Sequence, residues 1–370
     1  MRIALLTYST RPRGGVVHTL GLAEALAAAG QEVDVWTLSR GGDRNFFRPV
    51  DPAVHTHVVA LSDVPDETVG DRVTRSVAAL GEAFSGTASP PYDVVHAQDC
   101  ITANAVPDCL RTVHHLDTFT TPQLVACHEA AILRPRGHVC VSTAVAVELQ
   151  EQYGVTATVI PSGVDAARFT AAASHEPCAV AARAAWRERL GGYVLAVGGI
   201  EPRKGSQDLL EAMALLRAER PDLRLVVAGG ETLFDYRDYR RDFDARAAEL
   251  EVAPLVLGPV GHDVLPGLVA AADAFAFPST KEGFGLAALE AMAAGVPVVA
   301  RDLPVLREVM GDAALYAATV PDLAVQLRVA AGPRDAARAR AGWETAGRYT
   351  WAAAAQAHLT LYERRNGGGG

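Results

Sequence analysis

The fold is constrained most strongly by the stretch 277-FPSTKEGFGLAALEAMAAGVPVVA-300. It predicts an apolar strand that ends at Pro278, a glycine-rich loop, a helix, and a second buried strand over Val296–Ala300. Gly295 and Pro297 end the helix, because glycine favours a helix C-terminus and proline cannot continue one. Two buried strands joined by a helix are typical of a parallel sheet, so we predict an α/β fold.

The loop and the first helical turn of this stretch suit a phosphate group. Gly283 and Gly285 flank Phe284, and without Cβ atoms they let the backbone come close to a ligand. The first N–H groups of a helix have no intrahelical partner and lie at the positive end of its dipole. Glu282 lies in the loop, and Glu290 lies on the helix where it can accept hydrogen bonds from ribose hydroxyls. Either glutamate alone predicts only a solvated surface.

The order of strand, Pro-Ser, Glu-Gly-Phe-Gly, a second glutamate and Gly-x-Pro resembles the E-x7-E motif of retaining GT-B glycosyltransferases, most closely family 4 (glycosyltransferase group 1). The resemblance implies an α/β protein of two Rossmann-like domains, each a parallel sheet flanked by helices, with a cleft between them. We expect an N-terminal acceptor domain over residues 1–170, completed by a C-terminal helix over 349–366. The donor domain is expected over 171–348, and residues 367–370 are expected to form a disordered tail.

Length, charge and apolar content exclude several classes of protein. The 370 residues suffice for two domains, and 49% of them are hydrophobic, so each half can bury a core. A net charge of −9 argues against a nucleic-acid partner. The sequence has no long apolar run and no secretory leader pattern, so we expect no transmembrane segment and a cytoplasmic protein. Peripheral attachment to the inner face of a membrane stays open, and the five cysteines are expected to be reduced.

The first half opens with a predicted βαβ unit. Its parts are the strand Arg2–Tyr8, a loop with Gly14 and Gly15, a helix over Val17–Ala29 and the strand Val33–Leu38. The dinucleotide fingerprint G-x-G-x-x-G does not follow the first strand, which disfavours a dehydrogenase. In GT-B enzymes the equivalent Gly-Gly loop approaches the donor phosphates and the acceptor. A tight turn packed against the next helix is an equal alternative.

Two histidines end the strand predicted over Arg111–His115. GT-B family members often carry T-V-H or T-F-H at this point, with the histidine near the anomeric carbon of the donor, and the resemblance assigns His114 to that position. Neighbouring side chains of a strand point to opposite faces. We therefore expect only one of His114 and His115 to face the site.

The second half repeats the pattern with the strand Tyr193–Val197 and its exit 198-GGIEPRKG-205. A lysine and an arginine just before a helix N-terminus suit a diphosphate, although a solvated basic turn is the plain alternative. Family 4 enzymes usually carry an arginine directly after the first glycine of this loop, where this chain has Gly199. Lys204 matches the family, and we expect Arg203 to supply the second cation.

Three further segments complete the prediction. The loop 258-GPVG-261, which includes Val260, corresponds to the one that holds the nucleobase through backbone groups in the family. A small, polar linker is expected over Thr170–Glu176. A terminal helix is expected to pack against the first domain through an apolar stripe at helical spacing, formed by Trp351, Ala355, Leu359 and Tyr362.

The resemblance therefore predicts a metal-independent, retaining hexosyltransferase that uses a UDP- or GDP-sugar as donor and requires no further cofactor. His114, Glu282 and Lys204 are the expected catalytic residues. The donor is expected to contact Gly14, Gly15, Arg203, Lys204, Val260, Gly283, Phe284, Gly285, Leu286 and Glu290. The acceptor stays open among a small molecule, a natural product, a lipid and a glycan.

Two alternatives share the fold. A nucleotide-sugar 2-epimerase would convert its nucleotide sugar without an acceptor. A non-catalytic nucleotide-sugar binding protein should have lost Glu282, Glu290 or Lys204, and all three are present.

Overall fold

The polypeptide forms two compact units in a computed structural model that describes residues 1–40, 44–87, 91–119, 121–230 and 236–367. The first unit combines Met1–Gly163 with Tyr349–Gly370, and the second comprises Val164–Arg348. The first crossing between the units therefore falls at 163/164, a few residues before the expected 170/171. Each unit is built on one parallel sheet, as the sequence predicts.

The first unit contains a seven-stranded sheet. Its strands are β1 (Arg2–Thr7), β2 (Glu32–Arg40), β3 (Val54–Leu61), β4 (Val94–Ala97), β5 (Leu110–Val113), β6 (Gly137–Cys140) and β7 (Thr158–Val159). They pair in the order β3-β2-β1-β4-β5-β6-β7, and every pair is parallel. The order reverses between β1 and β4, and ligands bind at such a reversal, beyond the carboxyl ends of the strands.

Helices cover both faces of this sheet. They are α1 (Gly14–Ala28), α2 (Val69–Thr87), α3 (Cys100–Ala105), α4 (Pro122–Leu133) and α5 (Thr143–Tyr153). Alternate residues of β1 enter two different cores: Ile3 and Leu5 pack in the cluster that includes α1, and Ala4 and Leu6 pack in the cluster that includes α2. Burial on both faces explains why β1 is a continuous apolar run rather than an alternating one.

Two local expectations in this unit are wrong. Helix α1 begins at Gly14, so Gly14 and Gly15 form its first turn instead of a loop before it. Strand β5 ends at Val113, where its pairing with Cys140 of β6 ends, so His114 and His115 follow the strand. The alternation of strand side chains therefore does not decide which of these two histidines faces a ligand.

The second unit contains a six-stranded parallel sheet. Its strands are β8 (Gly192–Val197), β9 (Leu223–Ala228), β10 (Leu255–Gly258), β11 (Ala274–Phe277), β12 (Val298–Arg301) and β13 (Leu315–Ala317). They pair in the order β10-β9-β8-β11-β12-β13. The order reverses between β8 and β11, the strands whose exits carry the predicted phosphate-binding loops.

The helices of the second unit are α6 (Ala166–Ala173), α7 (Pro177–Leu190), α8 (Ser206–Arg217), α9 (Arg237–Glu249), α10 (Leu265–Ala270), α11 (Leu286–Ala293), α12 (Pro304–Met310), α13 (Val320–Ala330) and α14 (Ala336–Arg348). The expected linker over Thr170–Glu176 is wrong in its first four residues, since α6 extends through Ala173 and only residues 174–176 separate it from α7. Alanine-rich sequence favours a helix here, and the fully buried Phe169 anchors α6 in the core.

The last helix of the chain, α15 (Trp351–Gly367), belongs to the first unit and packs against α1. Its predicted apolar stripe is confirmed, because Ala355, Leu359 and Tyr362 are buried in the cluster that contains α1 and β1. A Cβ atom on Gly21 of α1 would lie 2.3 Å from the Trp351 ring, so glycine makes room for the indole. Residues 368–370 of the expected tail lie outside the described residues. In the part of the chain that the structure describes, no helix has the length and apolar character needed to cross a membrane.

Candidate active site

The loops that leave β8 and β11 are joined by backbone contacts at the point where the strand order reverses. Residues 202–204 form a short 3-10 turn after β8, and Gly205 follows it with φ 63° before α8 begins. The backbone N–H of Thr280 donates a hydrogen bond to the carbonyl oxygen of Arg203 at 2.8 Å. Arg301 donates from Nη2 to the carbonyl oxygen of Pro278 at 3.1 Å. The first contact holds the β11 exit against the β8 exit, and the second holds it against the end of β12.

Two cations and two carboxylates meet in these loops. The Nζ atom of Lys204 lies 2.5 Å from Oε1 of Glu282, and Nη1 of Arg203 lies 3.5 Å from the same oxygen. Nη2 of Arg203 lies 3.0 Å from Oε1 of Glu201. The structure thus brings together Arg203, Lys204 and Glu282, which the sequence predicted separately. Within the described residues, no group of three His, Cys, Asp or Glu side chains is arranged to hold a metal ion.

A pocket lies beside the ion pairs and beneath the loops. Its wall includes Gly198, Gly199, Lys204, Phe277 and Ser279. The Lys204 ammonium group lies 5.3 Å from the centroid of the Phe277 ring. The hydroxyl of Ser279 is buried and has no hydrogen-bond partner among the described residues. This hydroxyl is therefore available to a ligand in the pocket.

Helix α11 starts where the sequence predicts a phosphate-binding turn. Gly285 has φ 97° and precedes Leu286, the first residue of the helix. Gly283, Phe284 and Gly285 are buried, and they connect Glu282 directly to the helix start. The unpaired N–H groups of the first turn of α11 therefore lie only a few residues after Glu282 in the sequence.

Glu290 lies on α11 and is half-buried. Burial raises the pKa of its carboxyl group to about 7, Arg168 opposes that shift, and Asp165 adds to it. Arg168 belongs to α6, where it also hydrogen-bonds to the ring of His262. A second contact joins α6 to α11, since the Thr170 hydroxyl donates to the carbonyl oxygen of Ala293 at 3.0 Å.

Val260 lies in the loop after β10, at the same carboxyl edge but two strands from β8. Gly258 ends β10 with φ 70°. A Cβ atom on Gly230 would lie 2.9 Å from Cγ of Pro259, so this loop packs closely against the exit of β9. Val260 therefore shares the edge with the ion pairs without belonging to them.

In the first unit, His114 and Gly15 are brought together. A Cβ atom on Gly15 would lie 3.7 Å from Cδ2 of His114, whereas the corresponding position at Gly14 has no neighbour within 4 Å. The His114 ring meets the His18 ring edge-on, with centroids 4.7 Å apart. Its neighbour His115 instead lies with Nε2 3.1 Å from a carboxylate oxygen of Asp117. His114 is therefore the histidine that lies against the start of α1.

The imidazole of His114 is neutral near pH 7. Burial, with smaller contributions from His115 and Arg111, lowers its pKa to about 3. Its Nε2 atom has no hydrogen-bond partner among the described residues. In a neutral ring, such a nitrogen can accept a hydrogen bond from a substrate hydroxyl or donate one to it, according to the tautomer.

Comparison with known proteins identifies the family. Residues 188–323 match the family model described as glycosyl transferases group 1, and residues 12–168 match that of glycosyltransferase family 4. A D-inositol 3-phosphate glycosyltransferase from Salinispora arenicola is 32% identical over 345 residues, which cover 81% of this chain and 76% of that protein. The chain belongs to the family 4, group 1 glycosyltransferases.

Other proteins resemble this glycosyltransferase in sequence or in fold. A glycogen synthase from Mycobacterium tuberculosis is 29% identical over 398 residues, covering 93% of this chain and 92% of that protein. Sucrose-phosphate synthase from Thermosynechococcus elongatus superposes with a TM-score of 0.79 at 23% identity, covering 98% of both chains. Anabaena HepE in complex with UDP and glucose gives a TM-score of 0.73 at 19% identity, covering 98% of this chain and 100% of that one. These structures establish the GT-B fold.

Several residues of the candidate site were not predicted from the sequence. Ser279 lies in the stretch 277–300, and Glu201 lies in the loop 198–205. Both could have been predicted, because each is a polar residue next to a loop that was expected to bind a ligand. Arg168 had no such signal, because only the packing of α6 brings it towards Glu290. His262 had none either, and it contacts Arg168.

Proposed function

We propose that this glycosyltransferase moves a hexose from a UDP- or GDP-sugar to an acceptor hydroxyl, with retention of the anomeric configuration and without a divalent metal ion. The observation that carries this proposal is the meeting of Lys204 and Arg203 at Glu282, directly before the start of α11. A nucleoside diphosphate needs cations and unpaired N–H groups in one place, and this edge of the second unit provides both.

The cations act on the leaving group. When the bond between the anomeric carbon and the diphosphate oxygen breaks, the electron pair and negative charge pass to the diphosphate. Lys204, Arg203 and the first N–H groups of α11 stabilise that charge more in the transition state than in the ground state. This positive charge replaces the divalent ion that other transferases use. The bound diphosphate competes with Glu282 for the cations, which frees the carboxylate to accept hydrogen bonds from the sugar.

The remaining contacts with the donor are assigned from where each residue lies in the second unit. Glu290 accepts hydrogen bonds from the ribose hydroxyls, and the backbone around Val260 receives the base. The unpaired Ser279 hydroxyl, which lies in the same pocket wall as Lys204, donates to a phosphate oxygen. Each contact uses a group on the carboxyl edge of the second sheet.

The first unit supplies the acceptor side. The neutral His114 contacts the sugar near its anomeric carbon, next to Gly15 at the start of α1. The acceptor hydroxyl attacks from the face that the diphosphate leaves, and its proton passes to the leaving phosphate oxygen. No protein nucleophile takes part. The acceptor is a hydroxyl compound of the small-molecule, natural-product, lipid or glycan class.

A thermal-shift screen tests the proposal. Purified protein is heated with UDP, GDP, ADP, dTDP or NAD, each with and without EDTA. A ligand present at a hundredfold its Kd stabilises the folded state by about 2.7 kcal/mol, which gives a clear shift. We expect UDP or GDP to stabilise, with no change on adding EDTA. Stabilisation by NAD alone, or by none of the five, contradicts the donor assignment.

The ionisation of Glu290 gives nucleotide binding a pH dependence. Its pKa of about 7 leaves the carboxyl group partly protonated at neutral pH. Ribose hydroxyls donate more strongly to the ionised form. We expect the affinity for the nucleoside diphosphate to rise about tenfold from pH 6 to pH 8, as the ionised fraction grows from roughly one tenth to nine tenths. Isothermal titration calorimetry at several pH values measures this slope.

Glu290→Gln is the matched control for that slope. The amide keeps the shape but cannot ionise, so only the titration of the nucleotide phosphate should remain in its profile. The stability of the nucleotide-free protein should change with pH in the opposite direction to the affinity. Because the folded pKa lies above the usual 4.5, the contribution of Glu290 to stability is lost as the pH rises through about 7. Equal affinity slopes in wild type and Glu290→Gln would show that Glu290 does not bind the ribose.

A further inference from the structure

Arg301 is a charged residue of the second unit that has no part in the donor contacts proposed above. It is the last residue of β12, and its side chain is only 13% exposed. Its Nε and Nη2 atoms donate hydrogen bonds to the carbonyl oxygen of Pro278 at 3.2 and 3.1 Å. Nη2 also pairs with the carboxylate of Asp208, which lies in the first turn of α8. One side chain therefore joins the end of β12 to the exit of β11 and to the start of α8.

The carbonyl group of Pro278 lies beyond the hydrogen bonding of the sheet. The pairing of β11 with β12 ends at Phe277 and Ala300, and its pairing with β8 ends earlier, at Phe275. Pro278 follows the last paired residue and is buried. A buried carbonyl group without a hydrogen bond is costly. The guanidinium group of Arg301 supplies the donors that the neighbouring strands do not.

The same carbonyl oxygen lies against the loop that carries Lys204. A Cβ atom on Gly205 would lie 2.2 Å from the Pro278 oxygen and 3.3 Å from Nη2 of Arg301, so these groups are in close contact. Gly205 directly follows Lys204 in the sequence, and Ser279 follows the proline. Because a peptide group is planar, holding the Pro278 carbonyl also sets the orientation of the Ser279 nitrogen. The contact therefore joins the two segments that bring Lys204 and Ser279 to one pocket wall.

Arg301 acts on this pocket through other residues. It is not among the described residues that line the pocket, whereas Ser206, two residues before Asp208, is one of them. The pair with Arg301 neutralises the Asp208 carboxylate at the start of α8, close in sequence to the pocket wall. It also orients the guanidinium group for its contact with Pro278. This arrangement holds the shape of the pocket without a direct contact to a ligand.

We propose that Arg301 is a positioning residue of the donor site. It holds the Pro278–Ser279 peptide group and the first turn of α8 at the distance that places Lys204 and Ser279 in one pocket wall. This inference rests on the proposed function, because it takes the pocket as the place of the donor diphosphate. It extends that function to a residue that does not touch the nucleotide.

Titration of the full-length protein with UDP and with GDP tests this role. Arg301→Met keeps the apolar stem of the side chain and removes its donors. We expect it to bind the nucleotide that the wild type binds about tenfold more weakly, as for the loss of one hydrogen bond to a charged group. Arg307→Met is the matched control. Arg307 is 54% exposed and forms an ion pair with Asp302, the residue after Arg301, so its loss should leave the affinity unchanged.

Restoring the lost donors separates positioning from a purely structural role. Arg301→Ala leaves space for a small cation, so added guanidinium ion should recover most of the lost affinity. The guanidinium concentration is kept low enough to leave the melting temperature of the wild type unchanged, and wild type and Arg307→Met are titrated in the same buffer. Arg301→Lys keeps a donor for the Pro278 carbonyl and should bind more tightly than Arg301→Met.

A second substitution tests the path through the Pro278–Ser279 peptide group. In the Ser279→Ala background, Arg301→Met should lower the nucleotide affinity by a smaller factor than it does in the wild type, because both residues act in part through the same contact. Equal factors in the two backgrounds would show that Arg301 does not act through Ser279.

The outcomes distinguish this inference from the proposed function. If the wild type binds neither UDP nor GDP, the proposed function fails, and the role of Arg301 fails with it. Wild-type affinity in Arg301→Met, or a loss that neither guanidinium nor Arg301→Lys reverses, would overturn the positioning role and leave the donor assignment intact. Where Arg301→Ala does not fold, the difference between Arg301→Met and Arg301→Lys decides the question.

Discussion

Replacing Lys204 with alanine is expected to lower kcat by about 100- to 1,000-fold, because removing one donor from a site that stabilises developing negative charge has an effect of this size. The ammonium group lies in the pocket wall, 2.5 Å from Oε1 of Glu282. The fold should tolerate the change, since Glu282 keeps its contact with Arg203. The measurement is steady-state kinetics of sugar release from the donor identified by the thermal-shift screen.

Two companion variants separate charge from position. Lys204→Arg keeps the positive charge, and we expect it to lose less activity than Lys204→Ala. Arg203→Ala should lose less activity than Lys204→Ala. Arg203 contacts both Glu201 and Glu282, and it lies farther than Lys204 from Oε1 of Glu282. A Lys204→Ala enzyme with unchanged kcat and a raised KM would contradict the proposal, since that pattern assigns Lys204 to substrate binding alone. Melting curves of all three variants control for unfolding.

The parts of the site that the sequence predicts well are contiguous in the chain. The stretch from Phe277 to Ala300 contains its own strand, loop, helix start and stop, and the structure begins the helix at Leu286, two residues after the predicted start at Phe284. Local signals suffice there because glycine and proline fix the backbone and the apolar runs fix the buried strands. The loop after β8 follows the same logic, so Arg203 and Lys204 were found without any knowledge of their partners.

The parts that the sequence misses depend on contacts between distant residues. The end of β5 is set by where its pairing with β6 stops, so sequence alone extended the strand into His114 and His115. The last four residues of α6 were taken for the start of a linker because Thr170–Glu176 is small and polar, and its anchor Phe169 lies just before that stretch. The neighbourhood of Glu290 likewise requires α6 to pack on α11, which no local pattern contains.

Gly205→Ala is expected to destabilise the second unit by roughly 2–4 kcal/mol and to weaken nucleotide binding at least about tenfold. Gly205 has φ 63°, and an L-residue in that conformation costs about 1 kcal/mol. The added Cβ atom would also lie 2.2 Å from the carbonyl oxygen of Pro278, so one backbone segment has to move. Overpacking of this kind costs about 1–3 kcal/mol more. Thermal or denaturant unfolding and nucleotide titration measure the two effects.

The variant Gly154→Ala separates backbone strain from the collision. Gly154 ends α5 with φ 68° and ψ 16°, close to the φ 63° and ψ 33° of Gly205, yet a Cβ atom there has no neighbour within 4 Å. It should therefore cost only the strain, about 1 kcal/mol, and leave nucleotide affinity unchanged. The difference between the two variants measures how tightly the β8 and β11 exits are held together. If both variants bind nucleotide as the wild type does, the contact between Gly205 and Pro278 does not set the distance between Lys204 and Glu282, and the proposed donor site loses its structural basis.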